Sequence, residues 1–269
     1  MGSTIFIVWR ESVEAMLVVG ILHAWLKFNS TGAAGMRALG LGVLCGLGLA
    51  GLLGWAMVAA QGELSGTALE YFQVAMLLVA SGLIVQMVLW MRRHGAGMRK
   101  NLHQSLQVAM QRSGLIGIAT VAALAIAREG AETAVFLYGV SLEPSNSANV
   151  FMGAMLGFAL AAFTAWILGR GLRFLDYRRF FAMSGWMLLF FAGALLVSAI
   201  DRLIGAGLLP ALVDPLWNTA GLLDDSGRLG SIVAALVGYR AHPSLMLVVV
   251  YAAYWLFMLR AMRPARQHA

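Results

Sequence analysis

Charged residues and cysteine are scarce in this chain, and each scarcity excludes a class of protein. Only 12% of the 269 residues are charged, whereas a typical soluble domain carries about 25%. Cys45 is the sole cysteine, so the chain can form neither an intramolecular disulfide nor a cysteine metal site. The five histidines lack the spacing of a metal site, and no P-loop is present, which argues against direct ATP hydrolysis.

Apolar residues dominate the composition, at 61% of the chain with a mean hydropathy of +0.81. This predicts an all-α integral membrane protein, with residues 1–269 forming a single polytopic domain. The net charge of +7 is spread over short connections. It therefore indicates contact with lipid headgroups and not with nucleic acid. The N-terminus lacks a basic leader, so we expect the first helix to stay in the mature protein.

Seven apolar runs have about the length that a transmembrane helix needs, roughly 20 residues. They cover residues 4–26, 36–60, 69–91, 115–138, 149–169, 181–204 and 244–260. The long connection 205–243 is predicted to be an outer loop with a short interfacial or re-entrant helix near Leu229–Val237, because that apolar part cannot span a bilayer. Residues 92–113 are predicted to hold an amphipathic helix at the membrane surface.

Basic residues fall on one side of these seven spans, which predicts the orientation of the chain. They follow the first, third and fifth spans and fill the tail, as Lys27, Arg37, Arg92, Arg112, Arg170, Arg173, Arg263 and Arg266 illustrate, whereas Glu63, Glu143 and Asp214 lie on the other side. The positive-inside rule then places the N-terminus outside and the C-terminus inside.

The same alternation makes residues 1–91 and 115–204 two oppositely oriented three-helix repeats, followed by one extra helix at 244–260. Small residues recur at corresponding places in the two halves, Gly42 with Gly46 and Gly153 with Gly157. We therefore predict an inverted repeat, a fold in which the substrate site lies near the midplane of the membrane.

Two charged motifs interrupt the first and fourth spans, where a charge costs roughly 2.5 to 3.5 kcal/mol or more. They consist of Arg10, Glu11 and Glu14 in the first span and of Arg128, Glu129 and Glu132 in the fourth. Glutamates three residues apart share a helix face, so each span offers a carboxylate pair. If the two faces meet, four carboxylates form a metal site that favours hard ions such as Fe3+, Fe2+, Mn2+ or Ca2+.

Several other acidic or polar residues are candidates for a secondary ion path. They are Glu70 and Gln73 in the third span, Asp201 near the end of the sixth, and Asp224 and Asp225 in the long loop. Each also has a plain structural interpretation, as a solvated helix end or an ordinary polar turn. The motifs likewise have two alternatives, namely buried ion pairs that lock helices together and a proton relay.

With these motifs in place, the chain resembles the oxidase-dependent iron permeases. The resemblance rests on the two Arg-Glu-x-x-Glu segments and extends to Met87–Arg92 and Gly238–Ser244. It implies that Glu11, Glu14, Glu129 and Glu132 bind iron, with Arg10 and Arg128 as the supporting motif arginines. Family members often carry an acidic residue where this chain has Gln73.

The resemblance also implies how the protein works in the cell. Iron is the substrate and no cofactor is permanently bound. The permeated form is Fe3+, made by oxidation at the outer face of a multi-pass protein in the cell membrane, here a bacterial inner membrane. The expected partners are an outer-face oxidase or cupredoxin and a periplasmic iron-binding protein.

Two other functions fit the residues without the resemblance. One is a proton-coupled Mn2+ or Ca2+ transporter, which would use the same hard carboxylate ligands. The other is a seven-helix metal sensor that binds an ion without transporting it. An intramembrane enzyme is disfavoured, because no nucleophile and base lie near the glutamates.

Overall fold

A computed structural model of the chain describes residues 2–29, 31–94, 98–142, 147–169, 177–225 and 227–262. These residues contain helices, turns and loops and no strand, so the predicted all-α class is confirmed. The helices are α1 (Gly2–Phe28), α2 (Gly32–Glu63), α3 (Gly66–His94), α4 (Met98–Ser141), α5 (Ser147–Gly169), α6 (Tyr177–Gly205), α7 (Arg228–Val237) and α8 (Leu245–Ala261).

Five helical segments are long and apolar enough to cross a membrane. They are Gly32–Glu63, Gly66–Arg92, Gln104–Ser141, Asn149–Ile167 and Met183–Gly205. The other two predicted spans coincide with α1, which carries charges in its middle, and with α8, which has 17 residues. The count of seven spans and the orientation remain predictions. Glu143, Arg170, Arg173, Arg263 and Arg266, used above to orient the chain, lie outside the described residues.

The amphipathic helix predicted within residues 92–113 is present as the first part of α4. It ends at Gly114, whose φ of 56° and ψ of −133° interrupt the helix, and such a conformation is accessible mainly to glycine. Leu106 on this segment is fully buried among apolar residues of α1, α2 and α4. At Leu106 the apolar side of the segment therefore covers protein, and the position of the segment at the membrane surface remains a prediction.

The chain divides into two compact units. The first comprises Met1–Leu64 and His94–Phe181, and the second comprises Ser65–Arg93 and Ala182–Ala269. Within the first unit, α2 packs most extensively against α4, and α1 packs against α5 and α4. A core of apolar side chains joins α1, α2 and α4, formed by Leu22, Leu26, Leu39, Leu106, Ile118 and Ala122.

Glycines bring α2 and α4 very close together. A Cβ added at Gly46 would lie 2.7 Å from the Ala123 carbonyl oxygen, 2.8 Å from Ile126 Cβ and 3.0 Å from the Ala127 nitrogen. Such distances leave no space for any side chain at this position. Gly46, one of the small residues that recur in the two halves of the sequence, therefore allows close packing of α2 and α4.

The contact of α5 with α1 repeats this geometry atom for atom. A Cβ added at Gly157 would lie 2.6 Å from the Ile5 carbonyl oxygen, 3.0 Å from Val8 Cβ and 3.1 Å from the Trp9 nitrogen. Ile5, Val8 and Trp9 stand five, two and one residues before Arg10. The three residues facing Gly46 stand five, two and one residues before Arg128. Each charged motif is therefore preceded, on its own helix, by three residues that face a glycine of a neighbouring helix in the same way.

The second unit contains α3, α7, α8 and most of α6. The Tyr254 hydroxyl of α8 donates to the Leu189 carbonyl oxygen of α6 at 2.6 Å. The Ser81 hydroxyl of α3 donates to the Ala192 carbonyl oxygen of α6 at 2.8 Å. Between α6 and α8, the long loop contains the short helix α7, as predicted, and its position relative to the membrane remains a prediction.

Candidate metal centre

The motif on α1 is a buried ion-paired cluster. Arg10, which is 1% exposed, donates through Nη1 to Glu11 Oε1 at 2.6 Å and pairs through Nη2 with Glu14 Oε1. Glu14 lies one helical turn beyond Arg10, a spacing that lets the two side chains meet on one face. The guanidinium thus compensates two carboxylates at once, which reduces the cost of burying them.

The motif on α4 has the same sequence pattern and a different pairing. Arg128 Nε donates to Glu132 Oε1 at 2.9 Å, and the Arg128 side chain is 47% exposed. Glu129 is 7% exposed and forms no ion pair with any residue in the described part of the chain. The α4 motif therefore contains a buried carboxylate without a cation of its own.

Three of the four predicted ligands come together. Carboxylate oxygens of Glu11, Glu14 and Glu129 all lie within 4.8 Å of one another, and the three residues are buried. Glu132 is not in this group. One of its oxygens is bound to Arg128, while its Oε2 is buried.

Several of these carboxylate oxygens have no hydrogen-bond partner. Within the described residues, Glu11 Oε2, Glu129 Oε2 and Glu132 Oε2 are each buried without a donor. An unpaired buried carboxylate oxygen is costly, because it has lost water and gained nothing in exchange. A cation bound among these oxygens would supply the missing interaction.

The arrangement therefore has the chemistry of a site for a hard cation. All its donors are carboxylate oxygens, which suit hard ions and not soft Cu+. The alternative of buried ion pairs that only lock helices accounts for the contacts of Arg10 and Arg128. It does not account for Glu129, nor for the unpartnered oxygens on both helices.

Two residues near the site are absent from the sequence-based prediction. Trp9 Nε1 on α1 donates to Thr164 Oγ1 on α5 at 3.0 Å, directly beside the α1 motif. The signal in the sequence is weak, since a tryptophan and a threonine in apolar spans are common. Their partnership joins positions far apart in the chain and becomes visible only in the fold.

All five residues predicted for a secondary path lie in the second unit, and three of them belong to α3 and α6. Gln73 accepts a hydrogen bond from Arg202 Nη1 at 2.5 Å, and Asp201 lies 3.7 Å from Arg240 Nε. Glu70 is exposed. Gln73 and Asp201 thus take part in contacts between elements of this unit, and a role in an ion path remains a prediction.

The two loop aspartates are part of the folded structure of the loop. Asp225 Oδ2 accepts from the Ala241 nitrogen at 3.3 Å, and the Asp224 carbonyl oxygen accepts from the Gly227 nitrogen at 3.0 Å. Asp225 therefore braces one part of the loop against another. Loading of cations by this pair remains a prediction.

Comparison with known proteins identifies the type of protein. The model of the Iron permease FTR1 family matches residues 1–265. The chain is 29% identical over 250 residues to a protein of Escherichia coli O157:H7 named ferrous iron permease EfeU, covering 92% of this chain and 90% of the relative. It is 28% identical over 250 residues to the protein of that name from Yersinia pestis, covering 92% and 88%. No solved structure matches the chain.

These relatives are transporters, so the prediction of a transporter and not an enzyme is confirmed, as is iron as the substrate. The apolar helices agree with the predicted multi-pass membrane protein. The match over nearly the whole length shows that the chain belongs to the Iron permease FTR1 family.

Proposed function

We propose that the protein carries iron across a bacterial inner membrane through a site formed by Glu11, Glu14, Glu129 and Glu132. The observation that carries this proposal is the group of three buried carboxylates, whose oxygens lie within 4.8 Å of one another. Glu132 joins as the fourth ligand through its buried Oε2. Membership of the Iron permease FTR1 family indicates that the transported ion is iron.

Charge balance explains why the site accepts iron from water. Four carboxylates face two guanidinium groups, so the site without metal carries an excess of negative charge when all four are ionised. Iron compensates that excess and is bound by the carboxylate oxygens that otherwise have no partner. An inside-negative membrane potential favours inward movement by roughly 2.3 kcal/mol per elementary charge per 100 mV.

The proposed architecture is a seven-span inverted repeat with the N-terminus outside and the C-terminus inside. It is supported by the matching contacts of Gly46 and Gly157, which stand at equivalent positions before the two motifs. In such folds one repeat rocks against the other around a site near the midplane. The iron site would open alternately to the two sides by this movement.

The oxidation state of the transported ion gives two candidate functions. The resemblance to oxidase-dependent permeases favours Fe3+, delivered after oxidation by an outer-face oxidase or cupredoxin with an iron-binding protein. The relatives are named ferrous iron permeases, which favours direct transport of Fe2+. Carboxylate ligands bind both Fe2+ and Fe3+. A transport measurement, and not the type of ligand, therefore has to distinguish the two ions.

The test is accumulation of radiolabelled iron in liposomes that contain the purified protein. We expect accumulation with the wild type and loss of it with Glu14→Gln and Glu132→Gln, each at normal reconstitution yield. Binding of iron without accumulation would indicate a sensor and contradict the proposal. Suppression of iron uptake by equimolar Mn2+ or Ca2+ would instead favour the other transporter.

The same liposomes separate the two oxidation states. With ascorbate present and no oxidase, accumulation of iron supports the transport of Fe2+. If iron accumulates only when it is supplied as a soluble Fe3+ chelate without reductant, Fe3+ is the transported form.

A further inference from the structure

We infer that Trp9 and Thr164 are positioning residues for the α1 half of the iron site, an inference that rests on the proposed function. Trp9 Nε1 donates to Thr164 Oγ1 at 3.0 Å, and Thr164 Oγ1 donates in turn to the Leu160 carbonyl oxygen at 2.8 Å. The tryptophan precedes Arg10 directly. The contact therefore joins the α1 motif to the backbone of α5.

The surface that α5 offers to α1 explains why this contact matters. Gly157 brings the α5 backbone to within van der Waals distance of Ile5, Val8 and Trp9 on α1. A glycine contact permits close approach but has no side chain to interlock with a neighbour. The glycine contact therefore does not by itself fix the rotation of α1 about its own axis where α1 meets α5. A directional hydrogen bond defines it, because donor and acceptor must stay aligned.

Rotation of α1 is what sets the direction of the ligands. Successive residues of a helix are about 100° apart around the axis, so Trp9 and the Glu11 and Glu14 carboxylates have fixed angular offsets. Holding the Trp9 indole on α5 thereby holds both carboxylates toward the cluster they form with Glu129. An error of about 1 Å in ligand position is enough to weaken a metal site.

The other half of the site lacks an equivalent polar contact. Ala127 precedes Arg128 as Trp9 precedes Arg10, and Leu53 follows Gly46 by the interval at which Thr164 follows Gly157. Neither side chain carries a polar atom. Instead, Gly130 within the α4 motif approaches α2, since a Cβ added there would lie 2.5 Å from Ala50 Cβ. The α1 half of the site is therefore held by a hydrogen bond to α5, and the α4 half by close packing against α2.

Three substitutions test the inference in the full-length protein in liposomes. Trp9→Phe removes the N–H donor and keeps a ring, and Thr164→Val removes the hydroxyl and keeps the shape. We expect Trp9→Phe and Thr164→Val each to raise the apparent KM for iron roughly three- to tenfold, the effect of losing one hydrogen bond. The maximal rate per reconstituted molecule should stay within about twofold. Thr164→Ser keeps the hydroxyl and should restore the wild-type KM.

Thr120→Val is the matched control. The Thr120 hydroxyl donates to the Ile116 carbonyl oxygen one turn earlier on α4, as the Thr164 hydroxyl does on α5, but Thr120 is exposed. This variant should leave the KM unchanged. Equilibrium binding of iron to the purified proteins supplies a readout without transport and should weaken in Trp9→Phe and Thr164→Val by the same factor.

The outcomes separate this inference from the proposed function. If Thr164→Val lowers protein abundance but leaves KM and iron affinity at wild-type values, the contact is merely structural and the inference is wrong. The same conclusion follows if Thr164→Ser fails to restore the KM. If instead Glu14→Gln transports iron normally, the proposed site itself is wrong, whatever the Thr164 variants show.

Discussion

Arg10 and Arg128 hold the same place in two copies of one motif, yet Arg10 is buried and pairs with Glu11 and Glu14, whereas Arg128 is half exposed and pairs with Glu132. The difference leaves Glu129 as a buried carboxylate without an ion pair in the described part of the chain. The same Arg-Glu-x-x-Glu pattern therefore yields two unequal half-sites. The inequality leads to different expectations for equivalent substitutions.

Arg10→Gln should destabilise the protein far more than Arg128→Gln. Removing Arg10 leaves Glu11 and Glu14 buried without their cation, a change that costs about 3 to 5 kcal/mol in comparable cases. Removing Arg128 breaks its contact with Glu132 but leaves both ion pairs of Arg10 in place, so the loss should be smaller. Thermal unfolding of both variants in detergent, followed by tryptophan fluorescence, measures the difference. Equal losses would mean that the two arginines are equally important to the fold.

Glu129→Gln should abolish iron uptake without lowering stability. The substitution removes a buried carboxylate that forms no ion pair within the described residues and keeps the size of the side chain, so the metal-free protein should unfold at the same temperature as the wild type or higher. Uptake should fall at least tenfold, because a central ligand is lost. Glu63→Gln, at the exposed end of α2, is the matched control and should transport normally. Normal transport by Glu129→Gln would remove Glu129 from the site.

Iron itself should stabilise the wild-type protein. A ligand that binds only the folded state adds about 2.7 kcal/mol when present at 100 times its Kd. Iron should therefore raise the melting temperature of the wild type and have little effect on Glu129→Gln. Mg2+ at the same concentration provides the comparison for non-specific effects. A similar shift in both proteins would place iron binding elsewhere in the chain.

Much of the first unit could be predicted from the sequence. The two motifs and the glycine pairs are patterns of residue type and spacing, which helix geometry turns directly into shared faces and close contacts. The unequal pairing of Arg10 and Arg128 could not be predicted, because the two motifs contain the same charged residues at the same spacing. It depends on which neighbours surround each guanidinium.

Contacts between residues that are far apart in the chain also could not be predicted from the sequence. The bond of Trp9 to Thr164 joins two ordinary residues whose pairing is set only by how α1 lies against α5. Gln73 and Asp201, candidates for an ion path, instead contact Arg202 and Arg240 of the same unit. Polar residues near helix ends have many possible partners, and tertiary structure selects among them.

Gly46→Ala should destabilise the protein although alanine favours helices. The added Cβ would meet backbone atoms of Ala123 and Ala127 at 2.7 and 3.0 Å, so α2 and α4 must separate. Overpacking of this kind costs about 1 to 3 kcal/mol. Gly48→Ala on the same helix has no atom within 4 Å of the added Cβ. That control should be neutral or slightly stabilising, and equal melting temperatures of the two variants would contradict the close contact.

Gly114→Ala should destabilise the protein for a different reason, namely backbone conformation. The residue has a φ of 56°, and the space around an added Cβ is open, so the cost comes from the dihedral angles alone. Forcing a residue with a side chain into such a conformation costs of order 1 kcal/mol or more.

Gly82→Ala in α3 is the matched control. A Cβ added at Gly82 also meets no atom within 4 Å, and Gly82 has no positive φ. Because alanine is the better helix former, that control should gain up to about 1 kcal/mol. The two variants therefore move the melting temperature in opposite directions. A gain in stability from Gly114→Ala would show that the chain continues as a regular helix from the first part of α4 into the span that carries the second motif.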